Sequence, residues 1–257
     1  MRGGMGKDSS RGVSEIVGYS LIFGIVIVAT AMVFSYSYSM VGESKEDVRF
    51  ESMVQGFRKI QDAVESVVYG KSSRKEIRIL LSGGEVHTIR DNGVTVTVII
   101  NNSTALQKSS TMGGIEYSYP EYTMSFENGG VWLKSRDKTT MVSQPRIFIY
   151  KKNVNNETIV FIALTSINGS GSAGGEGMVT LTFDLSSAKV NVFNQSGYIY
   201  MSINSSYVDA WKKYFDELRG YSNNTVLQTE LSANRLNVSM YFNRLVLASY
   251  SINARIE

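Results

Sequence analysis

The sequence predicts an α+β protein: a long N-terminal transmembrane and amphipathic helix, then a mainly antiparallel β-sandwich or barrel-like head with one additional helix. Three observations predict it. Ile16 to Phe34 is an almost wholly apolar run, Glu43 to Tyr69 repeats its apolar residues near a helical period, and from Lys75 onward the period changes to two.

Between Glu15 and Glu43 there is no Asp, Glu, Lys or Arg. At a helical rise of about 1.5 Å per residue, roughly 20 residues cross a hydrocarbon core about 30 Å thick, so the run is long enough to span. Arg2, Lys7 and Arg11 precede it against a single Asp8, an excess of positive charge that holds the N-terminus in the cytoplasm and sends the rest outside. The expected organisation is a cytoplasmic leader (1–12), a transmembrane helix (13–41), its amphipathic extension (42–70) and an extracytoplasmic β-rich domain (71–257). A secretory signal peptide is the competing reading, since Ala29-Thr30-Ala31 has the small-x-small form of a cleavage site. Against it, the apolar run continues through Met32, Val33 and Phe34, and Tyr36 and Tyr38 fall where an interfacial belt sits.

Glu15 stands at the mouth of this span. One reading is an interfacial residue favoured by the dipole of the first helical turn. The other is a carboxylate facing a second chain within the membrane, where an unpaired charge is costly. Gly18, Gly24, Ser20, Ala29 and Ala31 offer small surfaces for helix approach or ordinary lipid-facing composition.

The stretch "SRGVSEIVGYSLIFG" carries a family resemblance. A short basic leader followed by Arg11, Gly12, Val13, Ser14 and Glu15 and then an apolar helix resembles the processing site of archaeal type IV pilin-like proteins. It is especially similar to a group of pilin-like archaeal membrane proteins that begin with an Arg-small-Val-Ser-Glu motif. "FESMVQGFRKIQDAVESVVYGKSSRKEIRILLSGGEV" and "INSSYVDAWKKYF" also look like that group. The resemblance implies that a prepilin-type peptidase removes the leader, after Arg11 or after Gly12, and that the helix remains as anchor or filament core. Glu15 is then the fourth or third residue of the mature chain. Bacterial pilins carry their glutamate fifth, so the pairing of that glutamate with a neighbouring amine does not transfer directly.

In the second half of the helix Val54, Phe57, Ile60 or Gln61, Val64 and Val67 form the apolar stripe, and Gly70 is a natural stop. One helix from about Val13 to Tyr69, half embedded and half packed, is the simplest picture, and the resemblance implies the same; two helices broken at Val41-Gly42 is the alternative. The runs "KEIRILLS", "GVTVTVIIN", "PRIFIYKK", "ETIVFIALTS", "GMVTLTFDL", "AKVNVFN", "GYIYMSI" and "NRLNVSMYF" read as short strands separated by Gly, Asn and Ser. Asn204 or Ser205 caps the additional helix, with Val208, Trp211, Tyr214 or Phe215 and Leu218 on one face; Trp211 and Phe215 read as core. Ile167 to Gly177, "INGSGSAGGEG", lacks any phosphate-loop or dinucleotide pattern and reads as a flexible loop.

If the head is outside, its Asn-x-Ser/Thr triplets are candidate N-glycosylation sites: Asn101, Asn102, Asn156, Asn168, Asn194, Asn204, Asn223 and Asn237. No catalytic grouping emerges. There is no cysteine, which removes disulfides and thiolate chemistry, and the single histidine, His87, lies in the strand-like "EVHTIR". A carboxylate pair such as Asp184 with Glu127 has no local support, and Asp209, Asp216 and Glu217 read as a solvated helix face beside Lys212 and Lys213. The net charge of +3 comes from 26 Lys+Arg and 23 Asp+Glu mixed along the chain, which gives no basic stripe for nucleic acid.

The expectation is therefore a membrane-anchored structural protein, not an enzyme, without cofactor or metal. Its expected partners are the membrane, the prepilin-type peptidase, and other pilin-like subunits or cell-envelope proteins. A minor or accessory subunit of an archaeal type IV filament system leads; a non-polymerising anchored binding module comes second, and a carboxylate hydrolase third.

Overall fold

A computed structural model describes residues 9–136, 138–152, 156–221 and 227–257; the side chains of residues 9–16, 37–44 and 221 lie outside the described set. Two compact units divide at Glu51 and Ser52.

The first unit holds the opening part of α1 (Ser9–Val68). One segment, Val17–Tyr36, is long and apolar enough to cross a membrane, and its large side chains, among them Leu21, Phe23 and Phe34, are exposed. The hydroxyl of Thr30 donates to the carbonyl of Val26 at 2.7 Å, so this polar group is satisfied within the helix itself. The helix has no interruption at Val41-Gly42.

The second unit begins inside α1, at Ser52. Its apolar stripe is the expected one: Val54, Phe57, Ile60, Val64 and Val67 are buried. Gln61, on the border of that stripe, is also buried, and its amide donates to the carbonyls of Gly129 at 2.8 Å and Gln144 at 3.2 Å while accepting from Ser143. Glu65 accepts from the guanidinium of Arg146, at 2.7 Å from Nε.

The strands follow as β1 (Arg74–Ile89), β2 (Gly93–Ile100), β3 (Ser103–Thr111), β4 (Gly114–Tyr119), β5 (Tyr122–Glu127), β6 (Gly130–Ser135), β7 (Lys138–Ser143), β8 (Ile147–Lys151), β9 (Thr158–Ser170), β10 (Ser172–Phe193) and β11 (Gly197–Asn204). Helix α2 (Val208–Tyr221) precedes β12 (Leu227–Ser232), β13 (Arg235–Phe242) and β14 (Arg244–Ile256). A nine-stranded sheet has the order β7-β6-β5-β4-β1-β10-β14-β9-β8, and a five-stranded sheet β12-β13-β11-β2-β3. Neither sheet closes, so the head is a sandwich and not a barrel. The pairing is antiparallel except between β9 and β14.

Alternation decides what each strand buries. Val94, Val96 and Val98 of β2, Ile199, Met201 and Ile203 of β11, and Leu236, Val238 and Met240 of β13 point into one cluster. From the larger sheet, Val160, Ile162, Leu245 and Leu247 meet them, and Trp211, Tyr214 and Phe215 of α2 complete the cluster as expected of core residues. The other face of the larger sheet carries Ile79, Leu181, Phe183 and Ala254, and Gly56 of α1 lies against Ile79.

The glycine-rich stretch from Ile167 to Gly177 differs from the expected flexible loop. Its residues extend the ends of β9 and β10, with the chain reversing at Gly171. Packing explains the composition: a Cβ at Gly169 would lie 2.1 Å from the carbonyl oxygen of Ala254 on the parallel neighbour β14. At Gly169 glycine lets two backbones approach, while Gly175 and Gly177 stand in open space and take positive φ, at 96° and 141°. The meander β4–β7 and the polar β3 extend the strand set beyond the expected runs. The turn between β5 and β6 has Asn128 and Gly129 at φ values of 48° and 78°, the left-handed pair of a type I′ hairpin.

Gly169→Ala is expected to destabilise the head by about 1–3 kcal/mol, the usual cost of forcing atoms into a filled site. Gly220→Ala, on α2 with open space around it, is expected to be neutral or to stabilise by up to about 1 kcal/mol. Thermal unfolding of the two variants against the parent checks both.

Candidate functional site

Three groups of residues carry possible function. The first is the anchor with its leader. Arg11, Gly12, Val13, Ser14 and Glu15 lie in the opening turns of α1, with their side chains outside the described residues. What is described is the backbone of a helix that continues directly into Val17–Tyr36.

The second group is the sequons. Asn101, Asn102, Asn156, Asn168, Asn194, Asn204 and Asn237 are all exposed, and Asn223 lies outside the described residues. Asn101 and Asn102 form the reversal between β2 and β3, both with positive φ, at 51° and 59°. Asn168 donates to the hydroxyl of Ser251 at 2.7 Å, and Asn237 accepts from Ser202 at 2.8 Å. In the Asn156 triplet the third residue, Thr158, is buried and opens β9.

The third group is a buried polar node. Glu127 ends β5, is 1% exposed, and has the β5–β6 hairpin immediately after it. Trp211 of α2 donates from Nε1 to its Oε1 at 2.9 Å. Asn92, between β1 and β2, donates to Oε2 at 2.8 Å, and Ser205 donates to the same oxygen at 3.1 Å. Trp132 of β6 donates to its backbone carbonyl at 3.1 Å, and the two indoles stack with centroids 4.3 Å apart. Ser205 also accepts from the N–H of Tyr207 at 3.0 Å, ahead of α2, whereas the first-turn N–H of Ala210 is capped by the hydroxyl of Thr139 on β7 at 3.0 Å and not by Asn204 or Ser205 as expected.

Glu116, two residues along β4 from the residue opposite Glu127, adjoins this node. Tyr207 donates to its Oε2 at 2.9 Å, and Nε2 of His87 lies 3.8 Å from its Oε1. A cavity of about 150 Å³ runs between Glu116, Glu127, Asn92 and Tyr207. Burial raises the pKa of both carboxyls; at Glu127 it prevails over the three hydrogen bonds, and at Glu116 over the Tyr207 hydrogen bond and the His87 charge.

Two carboxyls raised by burial beside one cavity meet the first requirement of acid–base chemistry. The hydrogen bonds decide against that use for Glu127: both its oxygens are already occupied by donors fixed in the fold, leaving neither aimed at a guest. The node acts as a strut that joins β5, the β1–β2 connection and the start of α2. No group of three or more His, Cys, Asp or Glu among the described residues is placed to hold a metal ion.

The carboxylate pair considered from sequence, Asp184 with Glu127, does not form. Asp184 lies on β10 at the surface, accepting from Arg74 at 2.5 Å and Arg255 at 3.0 Å, and these guanidinium groups hold its carboxyl below the usual range. His87 is a strand residue of β1, as its alternating neighbours predict. Asp216 is tied to Lys212 and Thr229, and its partners lower its pKa against the opposing effect of burial. The members of the node that sequence reasoning did not single out are Glu116, Asn92, Trp132 and Tyr207. The one local signal was the turn "ENGG", which marks a sharp hairpin directly after a strand glutamate.

The fold and these sites define a β-sandwich protein with one N-terminal helix long and apolar enough to cross a membrane. The chain belongs to the family of unknown function DUF7289, whose pattern matches residues 11–255. It is similar to an uncharacterized protein of Archaeoglobus fulgidus, at 25% identity over 88% of this chain and 90% of the relative. A second uncharacterized protein of that organism is 22% identical over 81% of this chain and 82% of its own length. No solved structure matches the chain significantly.

Glu127→Ala leaves two buried N–H donors without an acceptor and opens a hole, which is expected to cost about 3–5 kcal/mol in a denaturant titration. Because the folded-state pKa of Glu127 is raised, its contribution to stability is fully present below the ordinary glutamate pKa of about 4.3 and is lost as pH rises through the folded value. Glu127→Gln is therefore expected to flatten the fall of stability with rising pH, as read from melting temperatures across that range.

Proposed function

We propose that the protein is a membrane-anchored, pilin-like surface protein, a minor or accessory subunit of an archaeal type IV filament system. The observation that carries this reading is the junction of the Arg11-Gly12-Val13-Ser14-Glu15 motif to an exposed apolar helix, Val17–Tyr36. The same helix supplies the buried stripe of a β-rich head, with Phe57 and Ile60 wholly buried.

In this reading the leader stays in the cytoplasm and the prepilin-type peptidase cuts after Arg11 or Gly12. The freed helix then packs with the helices of other subunits while the head stands outside. A helix that must leave lipid for a protein-lined filament core is favoured by small residues at its contacts, and Gly18, Gly24 and Ala29 provide them. The exposure of the described sequon asparagines supports an extracytoplasmic head that accepts N-linked sugar. The reading assigns no catalytic role to the buried node, since both oxygens of Glu127 are engaged by its own fold.

Peptide mass spectrometry of the mature N-terminus from native membranes tests the proposal. A start at Gly12 or Val13 is expected. A start at Met32 means a secreted soluble protein, and an intact Met1 means a simple single-span anchor; either result overturns the filament reading. Glu15→Gln is expected to impair maturation or assembly with the melting temperature of the head unchanged, read from the ratio of precursor to mature chain and from incorporation into filaments.

A further inference from the structure

The inward alternation of the sandwich changes character toward one end. Along β9, Val160, Ile162 and Leu164 enter the core, and the next residues of the same face are Ser166 and Asn168. Along β14, Leu245 and Leu247 are followed by Ser249 and Ser251. Register sets these in rows: Leu164, Ser249 and Lys189 are directly opposed across β9, β14 and β10, and so are Ser166, Ser251 and Ser187.

The facing sheet changes in the same way. On β3 the residues opposite Val98, Val96 and Val94 are Leu106, Lys108 and Ser110, so the edge strand turns from apolar to basic to hydroxyl on its inward face. Between the two sheets lies a cleft of about 480 Å³, within the range of roughly 300–1,000 Å³ found for small-molecule sites.

Two features of this cleft call for a guest. Lys108 comes from one sheet and Lys189 from the other; neither has a carboxylate partner among the described residues, and no Asp or Glu lines the cleft. At its base, Asn128 is 1% exposed and Ser249 8% exposed. The carbonyl of the Asn128 amide is fixed by the N–H of Thr165 at 2.8 Å, which leaves Nδ2 as a donor with no acceptor, and Ser249 Oγ is also without a partner. Buried polar groups of this kind are normally satisfied, and these two line one cleft, where a polar guest would meet both.

We propose that the cleft binds an acidic saccharide, a sugar ring carrying a carboxylate or sulfate. The two lysines supply the charge complement, and Ser187, Ser249 and the Asn128 amide are left to meet ring hydroxyls, since Ser110 and Ser166 donate to the Thr111 carbonyl and Ser251 accepts from Asn168. An inorganic anion alone would use the lysines and leave Ser249 and the Asn128 amide idle. The inference rests on the cleft and not on the filament reading.

Asn168 sits on the cleft wall and belongs to a sequon, so the test uses the full chain in detergent, produced without glycosylation. Isothermal titration calorimetry with trigalacturonate is the probe, with maltotriose as its neutral counterpart and sodium sulfate as the bare anion. Trigalacturonate is expected to bind, maltotriose and sulfate at least tenfold more weakly, and binding is expected to weaken as salt rises. A Lys108→Ala/Lys189→Ala variant is expected to lose at least tenfold in affinity with an unchanged melting temperature. Lys108→Gln and Lys189→Gln singly, which keep the side-chain stems, are expected to lose part of it. Equal binding of maltotriose, equal binding of sulfate, no binding of trigalacturonate, or full affinity in the double variant would each overturn the proposal.

Discussion

The carboxyl group of Glu127 is the constraint around which the head is arranged. It is a strand-end residue whose oxygens take hydrogens from an indole on α2, an amide before β2 and a hydroxyl before α2, and whose backbone carbonyl takes a second indole N–H from β6. Donors from four separate segments converge on one residue. A core of aliphatic side chains tolerates small slips of one layer over another, whereas a buried acid with several directed partners does not. Burial costs this group its charge preference, and the fold gains a fixed relation between two sheets and a helix.

That fixed relation explains the unequal treatment of the two faces of the larger sheet. One face is covered by the second half of α1, whose Gln61 amide reaches the hairpin that follows Glu127 and whose Glu65 meets Arg146. The opposite face is covered by the smaller sheet and α2 over part of its length. Where that cover ends, inward positions pass from Leu and Val to Ser, Asn and Lys, as expected for a surface that water or a polar guest must wet.

Much of this was legible in the sequence. The uncharged run announces a span by length and composition, and the stripe Val54–Phe57–Val64–Val67, the strands with strict alternation such as "GVTVTVII", and the α2 face of Trp211 and Phe215 announce their burial by period. What was not legible has physical reasons. The segment "STALQKSST" of β3 has too few apolar residues to show a period, because its inward face is polar. The meander β4–β7 is built from six-residue strands, too short to establish one, although "ENGG" fixes its sharpest turn. Gly169 looks like slack in one dimension; only the neighbouring backbone of Ala254 shows it as a packing demand. The node was hidden because its members are contributed from residues 92, 127, 205 and 211, a separation that no local motif records.

The strand order has a consequence for how such a chain comes to be folded. β14 is the last strand in sequence, yet it lies inside the larger sheet, with β10 on one side and β9 on the other. Neither neighbour can pair directly with the other in its place, so the sheet stays split into two halves until Ile256 has emerged. β9 and β10 are therefore made before the strand that joins them, and the half-built head must spend that interval with their facing flanks unpaired. Open strand flanks of this kind are templates for pairing with a neighbouring chain, and the arrival of β14 closes both at once.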